Sequence, residues 1–218
     1  MRAGRTYGRY DAGCHASNRS IPYFDPPRAR TLAQRHGWAT DPAHRGREQL
    51  PAAVEVYPHA AMVGIFGLGR ILKYKNGPVL ARREALLELL ARMEGIEVLR
   101  LPASERWREV RRAVEAATRP MHLDRVEDEV DAVMCAHLAS LWHREPQSLH
   151  VFGDADEGCI VAPPPPTHPA TPRVTAATPR ATPPAREPVR RAFAPHHAPS
   201  LGRLAGARQT LRVSPDMW

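Results

Sequence analysis

Residues 52–58, AAVEVYP, alternate apolar and polar side chains and then reach a proline. In an extended chain Val54 and Val56 share one face, and Glu55 points to the opposite face. Pro58 cannot donate to a ladder of hydrogen bonds, so it ends the pattern. The stretch therefore predicts a β-strand with one buried face.

Helical periods and short extended runs follow this strand along the chain. Apolar residues recur at helical spacing in three places, with a glycine, a serine or an acidic pair at the expected ends. Two runs rich in β-branched residues are extended instead. The sequence predicts helices at 28–36, 82–93, 104–117 and 124–142, a helix-permissive run at 59–67, a strand at 96–101, and two extended pieces around a turn within 150–163.

The mixture of helices and strands predicts an α/β fold with a mixed sheet flanked by helices. Residues 1–50 are rich in loop formers, and no strand is predicted before the one at 52–58. A sheet built only from the strands found here would be narrow, and its first strand would lack a partner. We therefore expect the sheet to be incomplete at its N-terminus.

The composition changes abruptly near residue 162. Thirteen of the 23 prolines lie in residues 163–218, which contain few large apolar side chains before Leu201. Such a segment buries too little surface to offset its conformational entropy. The predicted organisation is a loop-rich part at 1–50, a core at 51–162, and a disordered Pro/Ala/Arg-rich tail at 163–218. The tail is either a cationic arm or an extension without a function.

The formal net charge of +8 belongs mostly to this tail. Residues 163–218 carry +6, from eight arginines and two acids, and residues 1–162 carry only +2. No helix-long basic stripe appears in the body, so the charge favours nucleic-acid binding by the folded part only weakly. Nucleotide binding through a P-loop or a GxGxxG loop is excluded, because neither motif is present.

Cysteine usage and hydropathy set two further expectations. Cys14, Cys135 and Cys159 are scattered and odd in number, which fits neither a disulfide framework nor paired zinc ligands. No run of about 18 apolar residues occurs, and the N-terminus lacks the apolar stretch of a secretory signal. We expect a cytoplasmic protein without a membrane-spanning segment, and its oligomeric state is not predicted.

Four carboxylates begin the last predicted helix: Glu127, Asp128, Glu129 and Asp131. Asp128 and Asp131 share a face with Cys135, since i, i+3 and i+7 positions align on a helix. Carboxylate oxygens on one face can bind a hard cation such as Mg²⁺. The alternative is that acids near a helix N-terminus only complement the helix dipole, and the spacing alone favours this alternative.

Two other groups are candidates for chemistry. Glu55 lies in mid-strand close to the strand exit, where α/β proteins bind ligands, although an exposed edge glutamate is equally expected. His59, after Pro58, is a metal ligand, a general base or an ordinary loop histidine, and the last is commonest. A basic cluster of Lys73, Lys75, Arg82 and Arg83 can hold phosphates or remain a solvated loop.

Several ordered blocks resemble a bacterial family of unknown function described as predicted RNase H-like nucleases. The blocks are GRYDAGCHASNRS at 8–20, VEVYPHAAMVGIFGLGRILKYKNG at 54–77, VEDEVDAVMCAHLA at 126–139 and FGDADEGCIVAP at 152–163. The resemblance covers roughly residues 8–163. It implies an RNase H-like domain that groups acids around one or two divalent metals, Mg²⁺ or Mn²⁺, for phosphodiester hydrolysis.

The resemblance also implies roles for individual residues. Glu55, Asp128 and Asp131 match the family's acids and are the expected catalytic metal ligands, with Glu127 as a further ligand. The residues expected to contact substrate lie in the central loop, after the strand and in the basic cluster: His15, Asn18, His59, Lys73 and Lys75.

The sequence departs from the family pattern at its start. The resemblance implies a principal metal-binding aspartate on the first strand, and another acid after a later strand, both ahead of the central loop. This sequence begins inside or just before that loop, consistent with a misplaced start codon or a decayed gene. We therefore predict a nuclease-like protein with weak metal binding and little hydrolysis. The alternative is a noncatalytic nucleic-acid-binding or interaction module using the basic N-terminal region and the tail.

Overall fold

The computed structural model describes residues 3–14, 28–44, 51–154 and 158–172. These residues belong to one compact unit, Met1–Val174. Within these residues the chain forms seven α-helices, one two-stranded sheet and short 3₁₀ turns. The elements are α1 (Ala3–Tyr7), α2 (Arg28–His36), α3 (Pro58–Phe66), α4 (Val79–Glu94), α5 (Glu105–Glu115), α6 (Pro120–Asp124), α7 (Glu127–Arg144), β1 (His150–Asp154) and β2 (Gly158–Ala162).

The sheet is small and antiparallel. β1 pairs with β2 from His150 opposite Ala162 to Asp154 opposite Gly158, as the two predicted extended pieces require. The segment at 52–58 joins β2 through one parallel bridge between Val56 and Val161, and the Val161 amide donates to the Glu55 carbonyl at 2.8 Å. The predicted strand at 52–58 is therefore extended but pairs only at isolated bridges.

The core lies between the helices. α4 packs on α5, and α3 packs on both α7 and β2. The predicted apolar faces of α4 and α5 are buried, including Leu86, Leu90 and Trp107. The mixed α/β class is thus confirmed in its coarse form: within the described residues the protein is dominated by helices, and the sheet has two strands.

The strand predicted at 96–101 is wrong. The chain forms two 3₁₀ turns there, Glu97–Leu99 and Leu101–Ala103. Arg100 joins the turns with a φ of 49°, in the left-handed region that strands do not use. Val98 is 60% exposed, so the run offers no continuous buried face. A short apolar run of this kind is ambiguous when it is judged by periodicity alone.

The two predicted helix N-termini have different outcomes. Ser104 is the N-cap of α5, as predicted, and its Oγ accepts a hydrogen bond from the Trp107 amide. The capping box predicted at Asp124 and Glu127 is wrong, because Val126 precedes α7 without a side-chain cap. Asp124 instead ends the short helix α6, which begins at Pro120. Its carboxylate is bound to Arg82 of α4.

Residues 163–172 begin the segment for which the sequence predicts disorder, yet they pack on the folded unit. Pro163 is buried, and tyrosine hydroxyls at the N-terminus donate to carbonyls of this segment. Disorder was expected because the segment has few apolar side chains, but main-chain carbonyls supply its contacts instead. The remaining tail residues lie outside the described part of the chain. No helix in the described part is long and apolar enough to cross a membrane.

His137 lies on the buried face of α7, and its Nδ1 has no hydrogen-bond partner among the described residues. Burial lowers the pKa of His137, and the negative charge of Glu145 opposes this. A histidine with a depressed folded-state pKa contributes stability above its unfolded pKa of about 6.5. That contribution is lost as the pH falls, because the unfolded chain then binds more protons.

We therefore expect His137→Leu to remove part of the acid sensitivity. The free energy of unfolding of this variant, relative to the unsubstituted chain, should rise as the pH falls from about 7.5 to 5.5. Urea titrations at several pH values measure this difference. His143→Leu, on an exposed position of the same helix, is the matched control. Parallel pH profiles for all three proteins would contradict the prediction.

Candidate functional site

Lys75 lies against the N-terminal half of α7 and contacts two of its carboxylates. Its Nζ is 2.7 Å from Asp131 Oδ2 and 3.5 Å from Asp128 Oδ1. The shared face predicted for these two aspartates is therefore present. Asp131 is the enclosed member, with a side chain 18% exposed, while that of Asp128 is 89% exposed. One ammonium group thus lies beside two of the acids that were expected to bind metal, and it balances one of their two negative charges.

The second oxygen of Asp131 is also occupied. The Tyr74 hydroxyl donates to Asp131 Oδ1 at 2.5 Å. Tyr74 itself is fully buried, so its hydroxyl is fixed in position by the surrounding core. Asp131 therefore receives a charged donor on one oxygen and a phenolic donor on the other.

Arg82 forms a second charged centre beside the first. Its Nε donates to the Tyr74 carbonyl at 2.8 Å, and its Nη2 lies 2.7 Å from Asp124 Oδ1 and 3.0 Å from Glu127 Oε2. Arg82 is buried. Neither alternative expected for Arg82, phosphate binding or a solvated loop, fits a buried guanidinium that is bound to two carboxylates.

The remaining acid of the predicted group points elsewhere. Glu129 binds Arg106 of α5, with Oε1 and Oε2 within 2.9 Å of guanidinium nitrogens. The hydrogen bonds from Arg106 lower the pKa of Glu129. The four carboxylates therefore form three separate ion-pair groups, centred on Lys75, Arg82 and Arg106. Helix geometry explains this separation, since successive residues point about 100° apart.

Glu55 lies on the extended segment next to β2, away from the ion pairs of α7. The residue is exposed, but packing removes part of the water around its carboxyl group. This desolvation raises the pKa of the carboxyl. Two thiols lie close enough to respond to its charge. Burial and then Glu55 raise the pKa of Cys14 to about 11, and the same two causes raise the pKa of Cys159.

His59 connects the strand exit with the Lys75 centre. Its ring stacks on Tyr74, with centroids 5.5 Å apart and an interplanar angle of 11°, and lies 5.3 Å from the Tyr57 ring. Burial lowers the pKa of His59, Asp131 opposes this, and Lys75 reinforces it. His59 is therefore mainly neutral at neutral pH, as a general base would be, and is packed as an aromatic side chain.

Lys73 belongs to a different group of charges. Its Nζ is 3.8 Å from Asp11 Oδ2, and Arg70 Nη1 approaches the same oxygen at 2.5 Å. Asp11 has a φ of 62° and an almost buried carboxylate, 9% exposed. Asp11 was not predicted as a charged centre. The sequence signal that could have indicated its turn is an aspartate before Ala-Gly, since aspartate tolerates the left-handed conformation. His15 and Asn18 lie outside the described residues.

The described residues do not fit a Mg²⁺ or Mn²⁺ centre. Among them, no group of three or more His, Cys, Asp or Glu side chains is placed to hold a metal ion. A hard cation takes about six oxygen ligands, several of them carboxylates or waters. Here Asp131 and Glu127 already have cationic partners, and Glu55 favours its protonated form more than usual.

These features define a class of protein, a helix-dominated mixed α/β domain with charged clusters at the start of its longest helix. The chain belongs to the DUF429 family, whose members are described as proteins of unknown function, and the family model matches residues 11–157. No curated protein matches the chain significantly. The same is true of solved structures. The match includes Glu55, Lys75, Arg82 and the acids of α7, and it confirms the expected membership in a family of unknown function.

Proposed function

We propose that this chain is a nuclease-like domain with RNase H-like ancestry, in the class that hydrolyses phosphodiesters with carboxylate-bound Mg²⁺ or Mn²⁺. We further propose that it binds such ions weakly and hydrolyses little. One observation carries the second part: the Lys75 ammonium is paired with Asp131 and Asp128, the two helical acids to which the resemblance assigns metal binding. The first part is supported by the resemblance of the blocks around Glu55 and these acids.

Electrostatics explains why Lys75 opposes metal binding. Two like unit charges about 4 Å apart repel by about 4 kcal/mol at an effective dielectric constant of about 20. A divalent ion on Asp131 carries twice the unit charge, so it would meet about twice this repulsion at the same distance or would have to displace Lys75, whose Nζ is 2.7 Å from the carboxylate. The Tyr74 hydroxyl already uses the other oxygen. A metal would therefore lose most of the attraction that two carboxylates otherwise provide.

The proposal leaves substrate contacts to residues around this centre. Lys73 has a side chain 64% exposed and lies on the same irregular segment as Lys75, so it can reach a phosphate group in solvent. His59 is packed between aromatic rings beside the aspartates. These two residues remain proposed substrate contacts, together with Lys75, His15 and Asn18. The proposed substrate class is nucleic acid, either DNA or RNA.

Removing the ammonium group tests this proposal. We expect Lys75→Gln to bind Mn²⁺ about tenfold more tightly than the unsubstituted chain, because the variant frees two carboxylates from a competing cation. Isothermal titration calorimetry measures the affinity. Lys73→Gln removes a neighbouring charge that contacts Asp11 and not α7, and its Mn²⁺ affinity should stay unchanged. Asp128→Asn in the Lys75→Gln background should reverse most of the gain.

Cleavage assays complete the test. All variants are incubated with Mg²⁺ or Mn²⁺ and single- or double-stranded DNA and RNA, and the expected result is negligible cleavage by the unsubstituted chain. Tight metal binding with turnover by that chain would contradict weak metal binding. If Lys75→Gln binds no more Mn²⁺ than Lys73→Gln, the pairing with Lys75 does not cause the weak metal binding, and that part of the proposal is wrong. Metal-independent, strongly salt-dependent binding would then favour the noncatalytic module.

A further inference from the structure

The segment Pro163–Pro172 is held along the surface of the folded unit by main-chain contacts. Its first half meets α1 and the turn that follows it. The Tyr7 hydroxyl donates to the Pro163 carbonyl. The Tyr10 hydroxyl lies 3.1 Å from both the Pro166 and the His168 carbonyls. Two tyrosines therefore bind carbonyls spread over six residues of an extended chain.

The second half of the segment meets the loop after α3. The Thr171 amide donates to the Gly69 carbonyl at 2.9 Å, and Arg70 Nη2 donates to the Thr171 carbonyl. His168 Nε2 lies 2.9 Å from the Gly67 carbonyl. This end is therefore fixed by one backbone–backbone hydrogen bond and one arginine hydrogen bond on Thr171, and by the contact of the His168 ring.

Two glycines provide the space for this close approach. A Cβ on Gly64 would lie 2.9 Å from Pro163 Cβ and from the Pro164 carbonyl oxygen. A Cβ on Gly69 would lie 2.1 Å from Thr171 Oγ1. Side chains at either position would force the segment outward. We call the surface formed by Tyr7, Tyr10, Gly64 and Gly67–Arg70 the proline-binding surface.

The contacts on this surface are made with the backbone of the segment more than with its side chains. Proline has no amide hydrogen, so a proline-rich chain presents carbonyl acceptors that are not used within the chain itself. Aromatic side chains with hydroxyl donors are well suited to such a chain, and proline-rich peptides are commonly bound in grooves lined by aromatic residues. Most residues of the segment are only partly buried or exposed. Another extended proline-rich peptide can therefore make the same hydrogen bonds.

We propose that the proline-binding surface is a docking site for an extended proline-rich peptide of a partner protein, and that Pro163–Pro172 occupies it in cis until the partner displaces it. The argument for this occupant is the segment already seated there, which makes five of its six polar contacts through main-chain atoms. The tether gives the cis segment a high effective concentration. A partner peptide must therefore compete, and its apparent affinity depends on release of the cis segment.

A synthetic peptide with the sequence APPPPTHPATP, residues 162–172, tests the proposal in the full-length chain. In one variant residues 164–172 are replaced by Gly and Ser without a change in length, which removes the pre-organisation by proline and so weakens the hold of the cis segment on the surface. Fluorescence anisotropy of the labelled peptide should show saturable binding to this variant. Binding to the unsubstituted chain should be about tenfold weaker, because the cis segment competes.

Tyr10→Phe, introduced into the replaced chain, tests the assigned contacts. This variant loses the hydroxyl that faces two carbonyls, and we expect about fivefold weaker peptide binding. Tyr57→Phe in the same background removes a hydroxyl that makes none of these contacts and should leave the affinity unchanged. A peptide with every proline replaced by alanine should bind more weakly, because it is not pre-organised in an extended conformation.

A second measurement avoids the replaced variant in case it does not fold. In the unsubstituted chain the Thr171 amide is protected by its hydrogen bond to Gly69, and excess peptide should accelerate its hydrogen exchange. No saturable binding to a folded replaced chain, or unchanged exchange at Thr171, would overturn the proposal. Concentration-dependent dimers that require Pro163–Pro172, without peptide binding, would also overturn it in favour of exchange between two copies of this chain.

Discussion

Arg82→Met is expected to lower the free energy of unfolding by about 2 to 4 kcal/mol. Arg82 is 5% exposed, and it satisfies the Tyr74 carbonyl and the largely enclosed Glu127 carboxylate. Methionine keeps the volume but leaves a buried carbonyl without a donor and a carboxylate without its cation. Asp124, whose side chain is 55% exposed, regains water and contributes little to the loss. Urea unfolding followed by circular dichroism measures the change.

The control for this prediction lies on the same helix. Arg92 forms an i,i+4 pair with Glu88 in which both side chains are more than a third exposed. Arg92→Met should cost about 0.5 kcal/mol or less, since exposed pairs contribute little. Equal losses for the two variants would show that Arg82 acts as a surface charge. Glu127→Gln, which keeps a hydrogen-bond acceptor, should fall between them.

Gly153→Ala is the second large effect that we expect. Gly153 lies in β1 with a φ of 107°, and an added Cβ would be 2.2 Å from the Gly158 carbonyl oxygen and 3.0 Å from Cys159 Cα. Both atoms belong to the backbone of the paired strand, so neither can rotate away. The clash and the unfavourable φ together should cost about 3 kcal/mol or more, and the hairpin should lose its pairing.

Gly77→Ala separates the two causes. Gly77 has a φ of 119°, but a Cβ there would meet nothing within 4 Å. This variant should cost only the conformational part, about 1 to 3 kcal/mol. The excess loss in Gly153→Ala then measures the steric part. Amide exchange of the β1–β2 pairs should increase in Gly153→Ala alone, and similar effects of both substitutions would contradict the assigned clash.

Helices were predictable from the sequence because their signals are local. The apolar spacing of Leu86, Leu90 and Met93 specifies the buried face of α4, and Ser104 caps α5 through an amide three residues away. The run at 96–101 misled for the same reason: its composition is that of a strand, but no strand among the described residues pairs with it. Pairing depends on residues distant in sequence, which periodicity does not report.

The candidate site follows the same division. That Asp128 and Asp131 share a face follows from helical spacing, and both contact Lys75. The pairing of Lys75 with these two acids could not be predicted, since the lysine lies more than fifty positions earlier in the chain. The role of Arg82 was also hidden, because an arginine near other basic residues resembles a phosphate-binding group. The packing of α4 against α6 brings Arg82 to Asp124, and Glu127 at the start of α7 is its second acidic partner.

The contacts between Tyr7 and Pro163 and between Tyr10 and His168 also determine when the domain can finish folding during synthesis. These partners are 156 and 158 positions apart in the chain. During synthesis the two tyrosines emerge from the ribosome well before the carbonyls that they bind, which follow only after nearly all of the described residues have been made. Contacts of such sequence separation form late and slowly. Until then the aromatic faces of Tyr7 and Tyr10, both buried in the finished core, stay in water as a target for chaperones.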